Sequence, residues 1–178
     1  MDIRALLAEG IRQEHLKIGE CVFTTRDMLI VTVLGSCVSA VFHHPPTRAA
    51  AMFHAMLPDS SQTSNPVRHP CTFADLAVAA VMERFRRLDV PPQEIRVRLF
   101  GGAGALCPEE RDRLRDMLDV GAKNVAAARL ALKIHELRVL SEDVLGPRGR
   151  KILFHTGSGR SWLRDVNAGP DDPFQVRD

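Results

Sequence analysis

Two side chains in this sequence have the types and the placing for nucleophilic chemistry, Cys37 and His54. A β-rich apolar run over 28–34 ends at Gly35-Ser36, and Cys37 opens a second run over 38–42. A turn follows (His43, His44, Pro45, Pro46), and a third apolar run over 49–57 carries His54 in its middle. A thiol just after a glycine turn, with an imidazole on a neighbouring strand, suits a cysteine nucleophile and its general base. Such a pair must be close in space yet supplied by separate elements. The same residue types also belong in ordinary cores, where cysteine packs as a small hydrophobe and histidine is satisfied by its neighbours. Spacing alone leaves both readings open.

The segment Thr32-Val33-Leu34-Gly35-Ser36-Cys37-Val38-Ser39-Ala40, followed by Met52-Phe53-His54-Ala55-Met56-Leu57-Pro58, resembles the signature of the CheD family. Members of that family are bacterial chemotaxis proteins that deamidate glutamines on chemoreceptors. The resemblance continues through Phe73-Ala74-Asp75, Phe100-Gly101-Gly102-Ala103 and Val120-Gly121-Ala122-Lys123-Asn124, and ends with Glu142-Asp143-Val144 and Gly149-Arg150-Lys151. It spans residues 17–166, with the motifs in the family's order. It implies one α/β (α+β) domain, mixed β-sheets flanked by helices, like the deamidase fold of cytotoxic-necrotizing-factor toxins. It implies a cysteine-dependent protein-glutamine glutaminase with no cofactor and no metal, Cys37 as nucleophile and His54 as base. A threonine on the strand ahead of the cysteine is also implied, to orient the imidazole; Thr32 is the nearest match, and Ser36 is an alternative polar partner. The implied substrate is the cytoplasmic domain of a chemoreceptor, and some relatives also bind a CheC-type phosphatase. The chain departs from the family pattern at Ala50-Ala51, where two glycines are usual, and at Leu145-Gly146-Pro147.

Glutamine deamidation makes definite demands. A carboxamide is a poor electrophile, so a thiolate must attack its carbon and the oxyanion needs fixed donors. The backbone N–H groups of Ser36 and Cys37, at the Gly35 turn, are candidates for that role. Glycine is expected at position 35 because a side chain would crowd the substrate or forbid the turn. An imidazolium beside Cys37 would lower the thiol pKa. Two rivals share these residues: a papain-like thiol peptidase or amidase, and a chemotaxis adaptor that binds without catalysis.

The elements that must position this pair fit one domain: the chain has 178 residues, 45% of them hydrophobic. Net charge is +2 with 26% charged residues, and no lysine or arginine block resembles a nucleic-acid arm. Aromatics are scarce, with no tyrosine and one tryptophan, which argues against a base-stacking platform, so no nucleic-acid partner is expected. Cys21, Cys37, Cys71 and Cys107 are scattered without a C-x-x-C pair, and all but Cys37 are expected to be structural or incidental thiols in a reducing cytoplasm. No apolar run is long enough to span a membrane, and membrane insertion is not expected.

In chain order, residues 1–16 read as a helical N-terminal extension, 17–166 as the deamidase domain, and 167–178 as a loose polar tail. Strands are expected over 18–25, 28–34, 38–42, 49–57, 95–99, 137–140, 151–156 and 161–166, with Arg96 and Arg98 on a wet face. Gly157-Ser158-Gly159 is expected to turn the last hairpin, since the phosphate-loop spacing is absent. Residues 59–70 read as an exposed loop. Thr72-x-x-Asp75 resembles a capping box opening a helix to residue 88. Helices are expected over 108–118 and 122–135, a flexible glycine turn over 100–104, and solvated loop positions at His43, His44, Arg148, Arg150 and Lys151.

Overall fold

The computed structural model describes residues 2–61, 69–104, 120–169 and 172–177. Among them, three α-helices and ten strands are ordered α1 (Ile3–Ala8), β1 (Gln13–His15), β2 (Cys21–Thr24), β3 (Leu29–Leu34), β4 (Val38–His44), β5 (Ala49–Phe53), α2 (Ala74–Arg86), β6 (Arg96–Gly101), α3 (Val120–Ile134), β7 (Val139–Val144), β8 (Arg150–His155), β9 (Ser161–Asp165) and β10 (Gln175–Arg177). They build two mixed five-stranded sheets, one in the order β1-β3-β8-β9-β10 and the other β2-β5-β4-β6-β7.

Side-chain parity explains how these sheets stack. Successive residues of a strand face opposite sides. Ile30 and Leu34 of β3, Ile152 and Phe154 of β8, Val41 of β4 and Ala50 and Met52 of β5 share one buried cluster, the layer between the sheets. Their neighbours turn outward. Leu29, Val31, Leu153 and Trp162 meet Ile3 and Leu6 of α1. Val38, Ala40, Phe42, Ala51 and Phe53 meet Ala77, Val81 and Phe85 of α2 and Val125, Ala128 and Leu132 of α3. The result is helix, sheet, sheet, helix pair. Covered on both faces, all seven residues of β4 are buried, so its sequence reads as a continuous apolar run rather than an alternation.

The α/β expectation of mixed sheets flanked by helices is what the molecule shows, with local corrections. His43 and His44 are not solvated turn residues: β4 runs on through both, they are 3% and 4% exposed, and the turn occupies residues 45–48. The left-handed backbone of Arg48 (φ 57°) lets that turn close later than the prolines suggest. Arg98 is not on a wet face. It shares the inner face of β6 with Phe100, is 6% exposed, and donates to the Gly159 carbonyl at 2.7 Å.

Strands β1 and β10 are not legible in the sequence, because three-residue strands carry no periodicity. They exist through pairing to β3 and β9, so part of the expected loose tail is sheet edge. The expected capping box does not form. Phe73 is the N-cap of α2, the Thr72 carbonyl receives the N–H groups of Met56 and Leu57, and the Asp75 carboxylate accepts from Ser60 instead. Cys21 and Cys71 are not separate thiols but a disulfide, with 6.0 Å between Cα atoms. No sequence spacing signals that pair, because only the fold brings β2 against the turn before α2. Arg150 is not in a solvated loop. It is paired to Asp143 at 2.6 Å with its side chain 12% exposed. Most of the expected loop over 59–70, the expected helix over 108–118 and Cys107 lie outside the described residues.

His43 carries a pH prediction. Both its ring nitrogens are buried without a hydrogen-bond partner. Burial, with Arg96, Arg98, His44 and His155 around it, lowers its pKa from 6.5 to about 4. A histidine whose folded pKa lies below its unfolded value contributes no penalty above pH 6.5. Below that, the unfolded chain binds the proton first, and stability falls until about pH 4. The loss approaches roughly 3 kcal/mol at most, since each pH unit between the unfolded and folded values is worth about 1.4 kcal/mol. Urea unfolding midpoints from pH 7 to pH 4 should therefore fall less steeply for His43→Gln than for the unsubstituted protein. Equal slopes would show that His43 is not the group responsible.

Candidate active site

The three sequence-predicted side chains converge at one end of the layer between the sheets. Thr32 on β3 shares the parity of Ile30 and Leu34, so its hydroxyl faces inward across the layer. Cys37 lies one residue before β4 and packs in the same inner cluster as Leu34 and Val41. His54 lies one residue past the end of β5 rather than in mid-strand. Beyond β5 the chain keeps register, because Val38 and Ala55 exchange two backbone hydrogen bonds of 2.9 Å each. Cys37 and His54 each precede one member of that antiparallel pair. They are therefore diagonal neighbours on one face, roughly 7 Å apart between Cβ atoms, within reach of longer side chains.

The histidine is held by a directional relay. Thr32 Oγ1 lies 2.9 Å from the Leu16 carbonyl oxygen and 2.9 Å from His54 Nδ1. A carbonyl only accepts, so the single hydroxyl proton goes to Leu16, and Oγ1 must accept from Nδ1–H. That assigns the neutral tautomer with Nε2 unprotonated. Nε2 is the ring atom that is buried without a partner, so its lone pair is free to take a proton. The histidine's main chain is fixed too: its N–H donates to the Glu20 carbonyl at 3.0 Å and its carbonyl accepts from Gly19 at 2.8 Å.

Electrostatics keep the resting pair neutral. Burial pushes the Cys37 thiol above its ordinary 9.0, partly offset by its own backbone N–H. Burial pushes His54 below 6.5, partly offset by the Leu16 carbonyl. Burial thus works against the imidazolium that the sequence led us to expect beside the thiol. Desolvation disfavours both charged forms where the pair sits 8% and 3% exposed.

The loop before the thiol is anchored on one side. The carbonyls of Gly35, Ser36 and Cys37 accept in turn from Ala103 N–H at 2.9 Å, Asn124 Nδ2 at 3.0 Å and Gly102 N–H at 2.8 Å. Gly35 and Ser36 are exposed at the mouth of the site. The glycine at 35 is not demanded by the turn. Its φ is not left-handed, and a Cβ there would meet nothing within 4 Å. The steric demand falls on Gly101, at the end of β6, where φ is +106° and a Cβ would lie 2.2 Å from the Cys37 carbonyl oxygen. Gly102 is packed in turn against Gly121 at the start of α3, where a Cβ would lie 2.5 Å from the Gly102 oxygen.

The segments holding Gly101, Gly102 and Asn124 stand out in the sequence, but their part in bracing the thiol loop does not. A run of glycines after a strand is the signal that could have found the first two. Among the described residues no three histidine, cysteine or carboxylate side chains gather as a metal site, and no helix is long and apolar enough to cross a membrane.

A family model described as "CheD chemotactic sensory transduction" matches residues 56–165, a stretch that begins two residues after His54 and includes neither His54 nor Cys37. A protein of Nitratidesulfovibrio vulgaris named "Probable chemoreceptor glutamine deamidase CheD" is 45% identical over 159 residues, covering 89% of this chain and 80% of its own. One from Geobacter sulfurreducens, "Probable chemoreceptor glutamine deamidase CheD 2", is 35% identical over 153 residues, covering 86% and 89%. Among solved structures, the Bacillus licheniformis hypothetical protein YfiH aligns with a TM-score of 0.44 at 16% identity, over 71% of this chain and 51% of that one.

Proposed function

The chain belongs to the CheD family, and from that premise we propose that it hydrolyses glutamine side chains of chemoreceptors to glutamate and ammonia, with Cys37 as nucleophile and His54 as base. The observation that carries the residue roles is the Leu16–Thr32–His54 relay, which leaves Nε2 as the free base on the diagonal neighbour of Cys37. His54 Nε2 takes the thiol proton as sulfur attacks the carboxamide carbon, and the N–H groups of Ser36 and Cys37 receive the oxyanion. The imidazolium then gives its proton to the departing nitrogen, releasing ammonia and leaving a thioester. Water, deprotonated by His54, cleaves the thioester to glutamate and regenerates the thiol. No cofactor enters these steps. The substrate region of a chemoreceptor is its cytoplasmic helical part, so the reaction belongs in the cytoplasm, and the new carboxylate changes packing electrostatics there.

The test is intact-mass spectrometry of a receptor cytoplasmic fragment incubated with the protein. A gain of about one dalton per site, NH2 replaced by OH, mapped to glutamine, is the expected result. Fragment cleavage would indicate a thiol peptidase instead. An unchanged mass with retained binding of receptor or of a CheC-type phosphatase would indicate an adaptor. Either outcome overturns the deamidase reading.

Thr32→Val tests the relay. Valine keeps the shape but removes the proton acceptor for Nδ1–H, freeing the ring to rotate and change tautomer. The value of kcat should fall on the order of 10²-fold, the lower end of a positioned base's contribution, with KM little changed. Steady-state kinetics on the same fragment check this, and a rate within twofold of the unsubstituted protein would remove Thr32 from the site.

A further inference from the structure

Asn124, fully buried in α3, bridges the two halves of the site. Its Nδ2 donates to the Ser36 carbonyl at 3.0 Å and to the Met56 carbonyl at 2.9 Å. Two carbonyl acceptors fix the amide's orientation, since the reversed amide would set oxygen against oxygen. Its Oδ1 is left buried without a partner. Ser36 immediately precedes the thiol residue, and Met56 lies two residues beyond His54. One side chain therefore ties the nucleophile's loop to the base's segment.

The bond to Ser36 also orients a peptide group. The peptide between Ser36 and Cys37 is planar, and the described residues contain no cis bond, so its C=O and N–H point opposite ways. Holding the Ser36 oxygen against α3 turns the Cys37 N–H away from α3, on the side of the thiol it influences. Ala103 N–H does the same for the preceding peptide by holding the Gly35 oxygen. Helix α3 is itself registered on this loop by the close contact of Gly121 with Gly102.

We propose that Asn124 is a positioning residue of the reaction, aiming the Cys37 backbone N–H as an oxyanion donor. The proposal rests on the Cys37–His54 deamidase reading. Asn124 touches neither substrate nor sulfur in this role. It sets the plane of a peptide group, and its effect appears only in steps that form an oxyanion.

The experiment compares two reactions of Cys37 in the unsubstituted protein, Asn124→Ala, Asn124→Gln and Cys37→Ala. Deamidation of the receptor fragment passes through an oxyanion. Alkylation by iodoacetamide does not: sulfur displaces iodide from carbon, and only thiol activation is probed. Asn124→Ala should lose about 10²–10³-fold in kcat, the usual cost of one oxyanion donor, with KM within about twofold. Its alkylation rate and pH profile should match the unsubstituted protein, and Asn124→Gln should recover part of kcat. Parallel loss of both reactions would mean collapse of the site and overturn the proposal, as would deamidation at the unsubstituted rate. If Cys37→Ala deamidates normally, the underlying reading fails instead, and the two failures are distinct.

Should neither Asn124 variant fold, a peptide aldehyde in place of the glutamine decides the matter on the unsubstituted protein. The Cys37 sulfur adds to the aldehyde carbon, the thiol proton passes to His54, and an alkoxide forms. The 15N-resolved Cys37 amide proton should move downfield on adduct formation. An unmoved resonance overturns the proposal.

Discussion

Cys37→Ala and His54→Ala should each lower kcat for receptor-glutamine hydrolysis by about 10⁵-fold or more, and the double substitution should be no worse than either alone. The non-additivity follows from the two acting as one unit: without the thiol there is nothing to deprotonate, and without the base the buried thiol stays protonated. The environment sharpens this. Because burial raises the Cys37 thiol pKa, attack depends the more on His54 taking the proton.

The same environment fixes the sign of the pH dependence. Burial depresses His54 below 6.5, so the neutral base persists below that value as well as above it. kcat/KM should be at its plateau by neutrality and fall as acid protonates Nε2, with the acid limb displaced below pH 6.5. Cys37→Ala should keep the thermal midpoint within the range of an ordinary small truncation, since it removes a single sulfur atom from the inner cluster. Deamidation by Cys37→Ala at anything near the unsubstituted rate, read as mass gain per unit time, would end the thiol mechanism. An acid limb above pH 6.5 would instead show that His54 is stabilised as a cation, contrary to its burial.

Gly101→Ala should be the most damaging single methyl outside the reacting pair. The backbone there has φ +106°, a conformation costing a side-chain-bearing residue on the order of 1–3 kcal/mol. The added Cβ would stand 2.2 Å from the Cys37 carbonyl oxygen and 3.0 Å from Leu34 Cδ1. The first contact is backbone and cannot swing aside, so overpacking adds about 1–3 kcal/mol. Together these predict about 4 kcal/mol of lost stability and a thermal midpoint lower by roughly 8–16 °C.

Activity should suffer beyond the stability loss. The atom displaced is the carbonyl of the proposed nucleophile itself, and a misplacement of about 1 Å costs on the order of 10²-fold. Gly104→Ala is the control, since its φ is not left-handed and a Cβ there meets nothing within 4 Å. It should stay within about 0.5 kcal/mol. Calorimetry with activity measured well below the midpoint separates the two effects. A Gly101→Ala protein that melts and turns over like Gly104→Ala would show that the end of β6 does not brace the thiol loop.

The legibility of this protein in its sequence divides along a physical line. Wherever the information is local, the residues suffice. Apolar runs of β-branched and small residues marked β3, β4 and β5, helical spacing marked α2 and α3, and the Gly-Ser-Cys and Met-Phe-His segments marked the two chemical groups. The resemblance to the CheD family extended this to Thr32.

Wherever two segments distant in sequence meet, the residues were silent. Strands β1 and β10 are strands only because β3 and β9 accept them. Arg98 reads as a wet-face cation in alternation with Val97 and Leu99, and only the second sheet makes that face an interior. Cys21 and Cys71 become partners because the pairing of residues 56–57 with Thr72 brings β2 and the turn before α2 together.

The site follows the same rule. The sequence determined which thiol and which imidazole are available, because reactivity resides in side-chain type. Only the tertiary structure decided how they are placed and held. The tautomer of His54 depends on the Thr32 hydroxyl, which comes from the other sheet and gives its own proton to Leu16. The conformation of the thiol loop depends on Gly101 and Asn124, far along the chain. Direction, unlike type, belongs to hydrogen bonds and close contacts between elements, and those exist only once the two sheets and α3 have packed.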